Sequence, residues 1–130
     1  MLFVQHGSDE WVIRHYYRGG LMSALLTDQY VWTGSRRTRS VREWDLLWRM
    51  RELGLPVPAP VAARVVRSKF FYRADLITER LPNVASLAER FIARSLTEAD
   101  WAAVGECIGR FHAHAFLHAD LNAYNIQLDE

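Results

Sequence analysis

The sequence His118-Ala119-Asp120-Leu121-Asn122-Ala123-Tyr124-Asn125 is the most informative stretch of a chain of 130 residues. An Asp that follows a His by two residues and precedes an Asn by five has the spacing of a phosphotransferase catalytic loop. In such a loop the Asp accepts the proton of an attacking hydroxyl, and the Asn offers a carbonyl oxygen to Mg²⁺. The spacing therefore predicts that Asp120 is catalytic and that Asn125 is a metal ligand. His118 is expected to brace the loop through hydrogen bonds.

The alternative is an ordinary polar loop, in which Asp120 and Asn122 satisfy backbone donors, as such residues do in turns. The flanking patterns argue against it. A long amphipathic helix is predicted before the loop, and the alternation of Asn125-Ile126-Gln127-Leu128 predicts a short strand after it.

The rest of the sequence predicts an α+β arrangement in two lobes: strand, strand, helix, strand, strand, linker, helix, helix, catalytic loop. Residues 21–33 are expected to form a short apolar helix or a mobile connector. The predicted strands cover residues 2–5, 10–16, 61–67 and 72–79, with a turn at His6–Asp9 and a linker at Arg80–Asn83.

Each predicted helix begins at a capping pattern. Ser40 and Glu43 form one capping box, and Ser86 and Glu89 form another. Thr97 caps the third helix, with Asp100 in its first turn. Gly54 ends the first helix and the second runs to about Arg94. The apolar faces of the predicted helices place four aromatic residues in the core: Trp44, Trp48, Trp101 and Phe111.

Two further residues match kinase-type chemistry. A cation on the third strand of such phosphotransferases pairs with the nucleotide phosphates and with a Glu on the following helix. Arg14 and Glu43 occupy those places, with Arg where Lys is usual. The alternatives are a surface Arg on an edge strand and a Glu explained by its capping box alone.

A basic cluster follows at Arg36, Arg37, Arg39 and Arg42, with Arg18 nearby in sequence. It is either a solvated face or a site for an anion, such as a phosphorylated glycolipid or a negatively charged membrane surface. Nucleic acid is disfavoured, because the net charge is only +1 and no recognised nucleic-acid-binding module is visible.

Composition narrows the class of protein. Half of the residues are hydrophobic, which excludes a disordered chain. The single cysteine, Cys107, permits no intrachain disulfide and fits a reducing compartment. No secretory signal pattern and no membrane-spanning apolar run are visible, so the chain is expected to be soluble or attached to a membrane surface. His112 and His114 lack the acidic or cysteine companions of a metal site.

The sequence as a whole resembles the bacterial 3-deoxy-D-manno-octulosonic acid (Kdo) kinases, which belong to the protein-kinase-like superfamily. The catalytic-loop stretch from His118 to Ile126 carries the resemblance most clearly. Further matching stretches are Arg14–Gly20, Arg42–Trp44, Leu53–Pro60 and Tyr72–Arg80.

The resemblance implies a two-lobed protein-kinase-like fold, incomplete, with about residues 1–80 as N-lobe and about 84–130 as the start of the C-lobe. It implies ATP-dependent phosphorylation of a Kdo hydroxyl on the lipid A inner core, at the cytoplasmic face of the bacterial inner membrane. Asp120 would orient or deprotonate the hydroxyl, and Asn125 would bind Mg²⁺. Arg14 and Glu43 would place the phosphates, while the backbone from Glu79 to Leu81 would meet the adenine. The arginine cluster would hold the anionic acceptor.

The resemblance also implies a truncated chain of doubtful activity, because the family's second metal-binding Asp is expected beyond residue 130. Two alternatives remain open. One is a small-molecule phosphotransferase of the aminoglycoside or choline kinase type, which shares the loop but not the Arg14–Gly20 stretch. The other is a pseudokinase-like module that binds anionic lipid without catalysis.

Overall fold

The chain folds into two compact units, Met1–Arg80 and Leu81–Glu130. The computed structural model describes residues 1–17 and 28–129. The described residues form a mixed α+β structure with antiparallel sheets and three α-helices. The α+β class predicted from the sequence is therefore confirmed.

The first unit contains a five-stranded antiparallel sheet built around its last strand. The strands are β1 (Leu2–His6), β2 (Asp9–His15), β3 (Tyr30–Val31), β4 (Pro60–Ser68) and β5 (Phe71–Glu79). β4 pairs with β5, as do β2 and β3, and β1 pairs with β2. The four strands predicted from the sequence are confirmed, with ends that differ by a residue or two.

Residues 21–33 differ from the prediction where the structure describes them. Tyr30 and Val31 form β3 and pair with Tyr72 and Phe71 of β5, so this part of the segment is neither helix nor connector. Residues 18–27, which include Arg18 and most of the predicted apolar helix, lie outside the described residues.

The first helix, α1 (Arg39–Glu52), begins differently from the prediction. Thr38 is its N-cap residue, and no side chain supplies a cap hydrogen bond. The Ser40 hydroxyl instead donates to the Arg64 carbonyl of β4 at 3.3 Å. The predicted Ser40–Glu43 capping box is therefore wrong, because Ser40 joins the helix to the sheet and Glu43 has partners elsewhere. The predicted end is confirmed: Gly54 follows the helix with φ 70°.

The core of the first unit lies between the sheet and α1. Tyr16, Tyr72, Ala74 and Leu76 form its buried centre, and Trp44 and Leu47 of α1 pack against them. Trp48 is 45% exposed and contacts the ring of Trp44 edge to face. In the second unit Trp101 is 48% exposed. The prediction that Trp48 and Trp101 are core residues is therefore wrong, since both lie where their helices meet solvent.

The second unit carries two short strands and two helices: β6 (Val84–Ser86), α2 (Leu87–Ile92), α3 (Glu98–Ala113) and β7 (Gln127–Asp129). Both helices begin at capping boxes, with Ser86 and Glu89 for α2 and with Thr97 and Asp100 for α3. These caps confirm the predicted starts, although α2 ends at Ile92 rather than near Arg94. β6 and β7 pair antiparallel, which confirms the strand predicted after the loop.

Within residues 1–17 and 28–129, no helix combines the length and the apolar character needed to cross a bilayer.

Ala74 should tolerate a larger side chain poorly, because its own side chain is completely buried in the sheet. Overfilling a packed core typically costs about 1–3 kcal/mol. We expect Ala74→Leu to lower the free energy of unfolding by that amount, measured by urea denaturation. Val66→Leu adds a methylene at a 43% exposed position of the same sheet and serves as control. Equal effects of the two substitutions would contradict this description of the core.

Candidate active site

Glu43 of α1 holds the side chain of Arg14 in β2 and that of Tyr16, which directly follows β2. Its Oε1 accepts a hydrogen bond from Nη2 of Arg14, and its Oε2 accepts one from the Tyr16 hydroxyl. The same Nη2 also donates to the Tyr16 hydroxyl oxygen at 2.9 Å. One carboxylate, one guanidinium and one phenol thus close a three-way network between the first helix and the sheet.

The strand register explains why these side chains meet. Arg14 pairs with Leu76 of β5, and Tyr16 donates its backbone N–H to the Ala74 carbonyl. Since alternate residues of a strand share a face, Arg14 and Tyr16 lie on the face that Ala74 and Leu76 present to α1. The next position, His15, faces the other way, and its Nδ1 lies 2.6 Å from Asp75 Oδ1.

The network fixes Arg14 without using all of its donors. Its Nε is buried without a hydrogen-bond partner, yet its side chain is 42% exposed. Because Nη2 is engaged by Glu43 and Tyr16, Nη1 is the group left for an anion. Burial lowers the pKa of the Arg14 guanidinium, but the charge of Glu43 and its hydrogen bond outweigh this and raise the pKa. The guanidinium is therefore a fixed cation.

A second cation lies beside this network. The guanidinium of Arg39 is 5.3 Å from the centre of the Tyr16 ring, and that of Arg14 is 5.0 Å from the same ring. Two guanidinium groups and the single carboxylate of Glu43 leave a local excess of positive charge. Arg36, Arg37 and Arg42 of the same cluster are exposed.

In the second unit, the loop with the catalytic spacing is ordered by its own side chains. The Asp120 backbone N–H donates to His118 Nδ1 at 3.2 Å, as expected for a bracing histidine. The Asn122 side chain donates to the Asp120 carbonyl at 3.2 Å and accepts from the Tyr124 N–H at 3.0 Å. These bonds set the shape of the loop on both sides of Asp120.

Asn125 completes the loop. Its Nδ2 donates to the Asp120 carbonyl at 2.8 Å, so the amide oxygen points away from that carbonyl. Among the described residues no hydrogen bond reaches the carboxylate of Asp120, which is exposed. The loop thus offers an open carboxylate and an amide oxygen, and oxygen donors of this kind suit Mg²⁺.

The start of α2 anchors the loop. The first backbone N–H groups of a helix lack partners inside the helix. Here the Leu87 N–H donates to the Ile126 carbonyl at 2.9 Å, and the Ala88 N–H donates to the Ala123 carbonyl at 3.0 Å. The loop is therefore attached to a helix end whose third N–H group, that of Glu89, is held by the Ser86 hydroxyl.

The stretch predicted to meet adenine has few backbone donors left. The N–H groups of Glu79 and Arg80 donate to the carbonyls of Ala59 and Glu10, each at 2.9 Å. Leu81 is the next residue and the first of the second unit. Its N–H is therefore the donor in this stretch that best suits a purine, and the contact itself stays a prediction.

The predicted site residues fall into two pairs. Arg14 is joined to Glu43 in the first unit, and Asp120 is joined to Asn125 in the second. Each pair lies within one unit. In the described part of the chain no three His, Cys, Asp or Glu side chains gather into a metal site.

Sequence reasoning missed Tyr16 as a member of the site. The signal was present, because Tyr16 follows Arg14 by two residues on a strand and must share its face. Its hydroxyl had no visible partner in the sequence, since Glu43 is 27 residues away.

Comparison with known proteins shows the family of the chain. All of the chain, residues 1–130, matches the family model described as "Lipopolysaccharide kinase (Kdo/WaaP) family". A 3-deoxy-D-manno-octulosonic acid kinase of Stenotrophomonas maltophilia is 48% identical over 91% of this chain and 47% of that protein. Those of Xylella fastidiosa and Vibrio parahaemolyticus are 44% and 38% identical, each over 98% of this chain and over 51% and 54% of those proteins.

The chain spans about half the length of the curated relatives it matches. No solved structure is significantly similar to it.

The Tyr16 hydroxyl should report on the first network through its ionisation. Burial, and then the hydrogen bond to Glu43, raise the pKa of this phenol above its ordinary value of 10.0. Below about pH 10 the phenol is neutral in both the folded and the unfolded chain, so its contribution to stability is complete there. As pH rises further the unfolded chain loses this proton first, and the contribution declines through the folded pKa.

We therefore expect Tyr16→Phe to reduce the loss of unfolding free energy between about pH 9 and pH 11, measured by urea denaturation at each pH. At neutral pH the same substitution should cost about 1 kcal/mol through the lost hydrogen bond. Tyr124→Phe removes an exposed phenol and serves as control. An unchanged alkaline profile in Tyr16→Phe would show that burial and Glu43 do not raise the pKa of this hydroxyl.

Proposed function

Since the chain belongs to the lipopolysaccharide kinase (Kdo/WaaP) family, we propose that its gene product is an ATP-dependent kinase that phosphorylates a Kdo hydroxyl on lipid A. The observation that carries this proposal is the loop in which Asn125 binds the Asp120 carbonyl while the Asp120 carboxylate stays open. The similar proteins named as 3-deoxy-D-manno-octulosonic acid kinases support Kdo as the acceptor.

In the proposed reaction, the oxygen of a Kdo hydroxyl attacks the γ-phosphorus of ATP. The bond from that phosphorus to the oxygen bridging the β- and γ-phosphates breaks, and ADP leaves. The hydroxyl proton passes to the carboxylate of Asp120, which also orients the hydroxyl. A positioned carboxylate of this kind contributes about 10²–10⁴-fold to a proton transfer.

We propose that Asn125 holds Mg²⁺ through its amide oxygen. When bound, the ion neutralises charge on the phosphates. The donor set fits this role, because the Nδ2 of Asn125 is already engaged by the Asp120 carbonyl and leaves the oxygen of the amide for the metal.

We propose that Arg14 contacts the nucleotide phosphates through Nη1, while Glu43 and Tyr16 hold Nη2. The backbone at Glu79–Leu81 would meet the adenine, with the Leu81 N–H as donor. This assignment makes the first unit, about residues 1–80, the N-lobe of a protein-kinase-like fold. About residues 84–130 then form the start of its C-lobe.

The acceptor in this proposal is an anionic glycolipid, Kdo-lipid A, so the protein would work at the cytoplasmic face of the bacterial inner membrane as a peripheral protein. The exposed arginine cluster (Arg36, Arg37, Arg39 and Arg42) supports an anionic acceptor. Guanidinium groups bind phosphate and carboxylate in bidentate fashion.

The substitution Asp120→Asn tests the catalytic role. It keeps the size of the side chain and removes the proton acceptor, so we expect kcat to fall about 10²–10⁴-fold with little change in the KM for ATP. The assay follows phosphate transfer from ATP to Kdo-lipid A by the gene product that contains these residues. Asp129→Asn makes the same chemical change in β7 and serves as control.

Other outcomes would decide against this proposal. Transfer to aminoglycosides or choline and not to Kdo-lipid A would favour a small-molecule phosphotransferase. Lipid binding that survives Asp120→Ala, without any thermal shift on adding ATP and Mg²⁺, would favour a non-catalytic module.

The substitution Arg14→Ala tests the phosphate contact. A hydrogen bond to a charged group contributes about 1.5–3 kcal/mol, so we expect ATP affinity to fall roughly 10- to 150-fold. Calorimetric titration with ATP and Mg²⁺ measures the change. Arg49→Ala removes an exposed arginine of α1 and serves as control. Equal ATP affinity in Arg14→Ala and Arg49→Ala would remove Arg14 from the nucleotide site.

A further inference from the structure

Positive charge is segregated in the first unit. Residues 29–42 and 61–74 together contain eight of the chain's 16 basic residues and no Asp or Glu. The acidic residues, 15 in all, lie elsewhere, so these two stretches are far more basic than the net charge of +1 suggests. The eight are Arg36, Arg37, Arg39, Arg42, Arg64, Arg67, Lys69 and Arg73.

The fold brings the two stretches side by side. Val31 pairs with Phe71 in the sheet, and the Trp32 N–H donates to the Phe70 carbonyl at 2.8 Å. The Arg39 N–H donates to the Tyr72 hydroxyl at 3.1 Å. The basic residues therefore share one region of the first unit.

Most of these cations have no acidic partner in the part of the chain that the structure describes. Arg64 lies 3.3 Å from Asp75, and Arg73 lies 2.7 Å from Asp28. The other six form no ion pair with any carboxylate of the described residues. An uncompensated group of this size creates a field that attracts an anionic surface.

The turn between β4 and β5 adds apolar surface to this charge. Phe70 is 76% exposed at the end of the turn, and Val31 on the adjacent strand is 56% exposed. Lys69 adopts φ 52°, and its carbonyl accepts a hydrogen bond from Arg67 Nε at 3.1 Å. The Arg67 guanidinium lies 4.8 Å from the centre of the Trp32 ring. We call the group Val31, Arg67, Lys69 and Phe70 the hairpin tip.

We infer that the hairpin tip docks the protein on an anionic lipid bilayer, with Phe70 and Val31 entering the headgroup boundary and Arg67 and Lys69 facing anionic headgroups. Basic residues flanking exposed apolar side chains are the pattern of interfacial membrane binding. The inference deepens the membrane contact of the proposed function and rests on it, but it does not depend on phosphoryl transfer.

A bilayer fits this surface better than a single-stranded nucleic acid does. Strand binding uses several aromatic rings on which successive bases stack. At the hairpin tip Phe70 is the exposed ring, because Arg67 and Tyr72 contact Trp32, and Val31 is aliphatic. A single ring beside an aliphatic side chain suits insertion among lipid headgroups rather than base stacking.

Co-sedimentation of the chain with phosphatidylcholine vesicles that contain phosphatidylglycerol tests the inference. We expect binding that weakens as salt is raised and that is lost with phosphatidylcholine alone. Phe70→Ala should lower the partition coefficient roughly tenfold, and Lys69→Gln should lower it about fivefold. Matched controls are Phe91→Ala, at a 65% exposed position of α2, and Arg49→Gln on α1. Both controls should bind as the unchanged chain does.

The outcomes separate the two proposals. If the unchanged chain binds no vesicles, the inference and the proposed membrane contact both fail, while ATP binding and kinase assays on detergent-dispersed acceptor still test the reaction. If the chain binds but Phe70→Ala and Lys69→Gln bind equally well, only the hairpin tip is excluded. Tighter binding to single-stranded RNA than to vesicles, lost in the same variants, would overturn the inference in favour of nucleic acid. Thermal unfolding of each variant verifies that it is folded.

Discussion

The carboxylate of Glu43 is the contact on which the arrangement of the first unit depends. It joins α1 to Arg14 of β2 and to Tyr16 just beyond that strand, and these partners lie 29 and 27 residues away in sequence. Removing one partner of a buried ion pair costs about 3–5 kcal/mol, because the remaining charge is left uncompensated. The cost is lower here because both side chains are partly exposed, at 42% and 33%. The pair is therefore better suited to fixing geometry than to supplying stability.

The loop of the second unit is fixed by a different kind of contact. Its carbonyl groups at Ala123 and Ile126 accept from the first N–H groups of α2, and its own asparagines hold the Asp120 carbonyl. These are backbone requirements of the helix and the loop, so the shape of the loop does not require a ligand. Preorganised polar groups of this kind act on a reacting substrate without having to reorganise during the reaction.

Of the two predicted Ser-x-x-Glu capping boxes, one is present and one is absent. Ser86 and Glu89 form the predicted box, while Ser40 and Glu43 have the same spacing and do not. A capping pattern depends on residues that are close in sequence. It therefore cannot show whether a residue distant in sequence binds the same side chain. For Glu43 that distant residue is Arg14 on β2, whose guanidinium is itself charged, whereas the donor in a capping box is a neutral backbone N–H.

The apolar faces of the helices were predicted less completely. The amphipathic pattern located the helices correctly, but it did not show which residues of each apolar face are buried by the rest of the protein. Trp44 meets the core, whereas Trp48, one turn later, lies nearly half in solvent. The bracing of the loop by His118 was predicted correctly, because His118 and Asp120 lie two positions apart in sequence.

The arginine at position 14 is consistent with the network that surrounds it. A lysine carries its three donors on one nitrogen, so a glutamate and a tyrosine hydroxyl would occupy most of the positions around it. A guanidinium separates its donors over three nitrogens. Here Nη2 serves both Glu43 and Tyr16, and Nη1 remains on the same rigid plane. The Tyr16 hydroxyl is the third member of the network. An arginine binds it through Nη2 and keeps Nη1 for an anion, so Tyr16 favours arginine at this position.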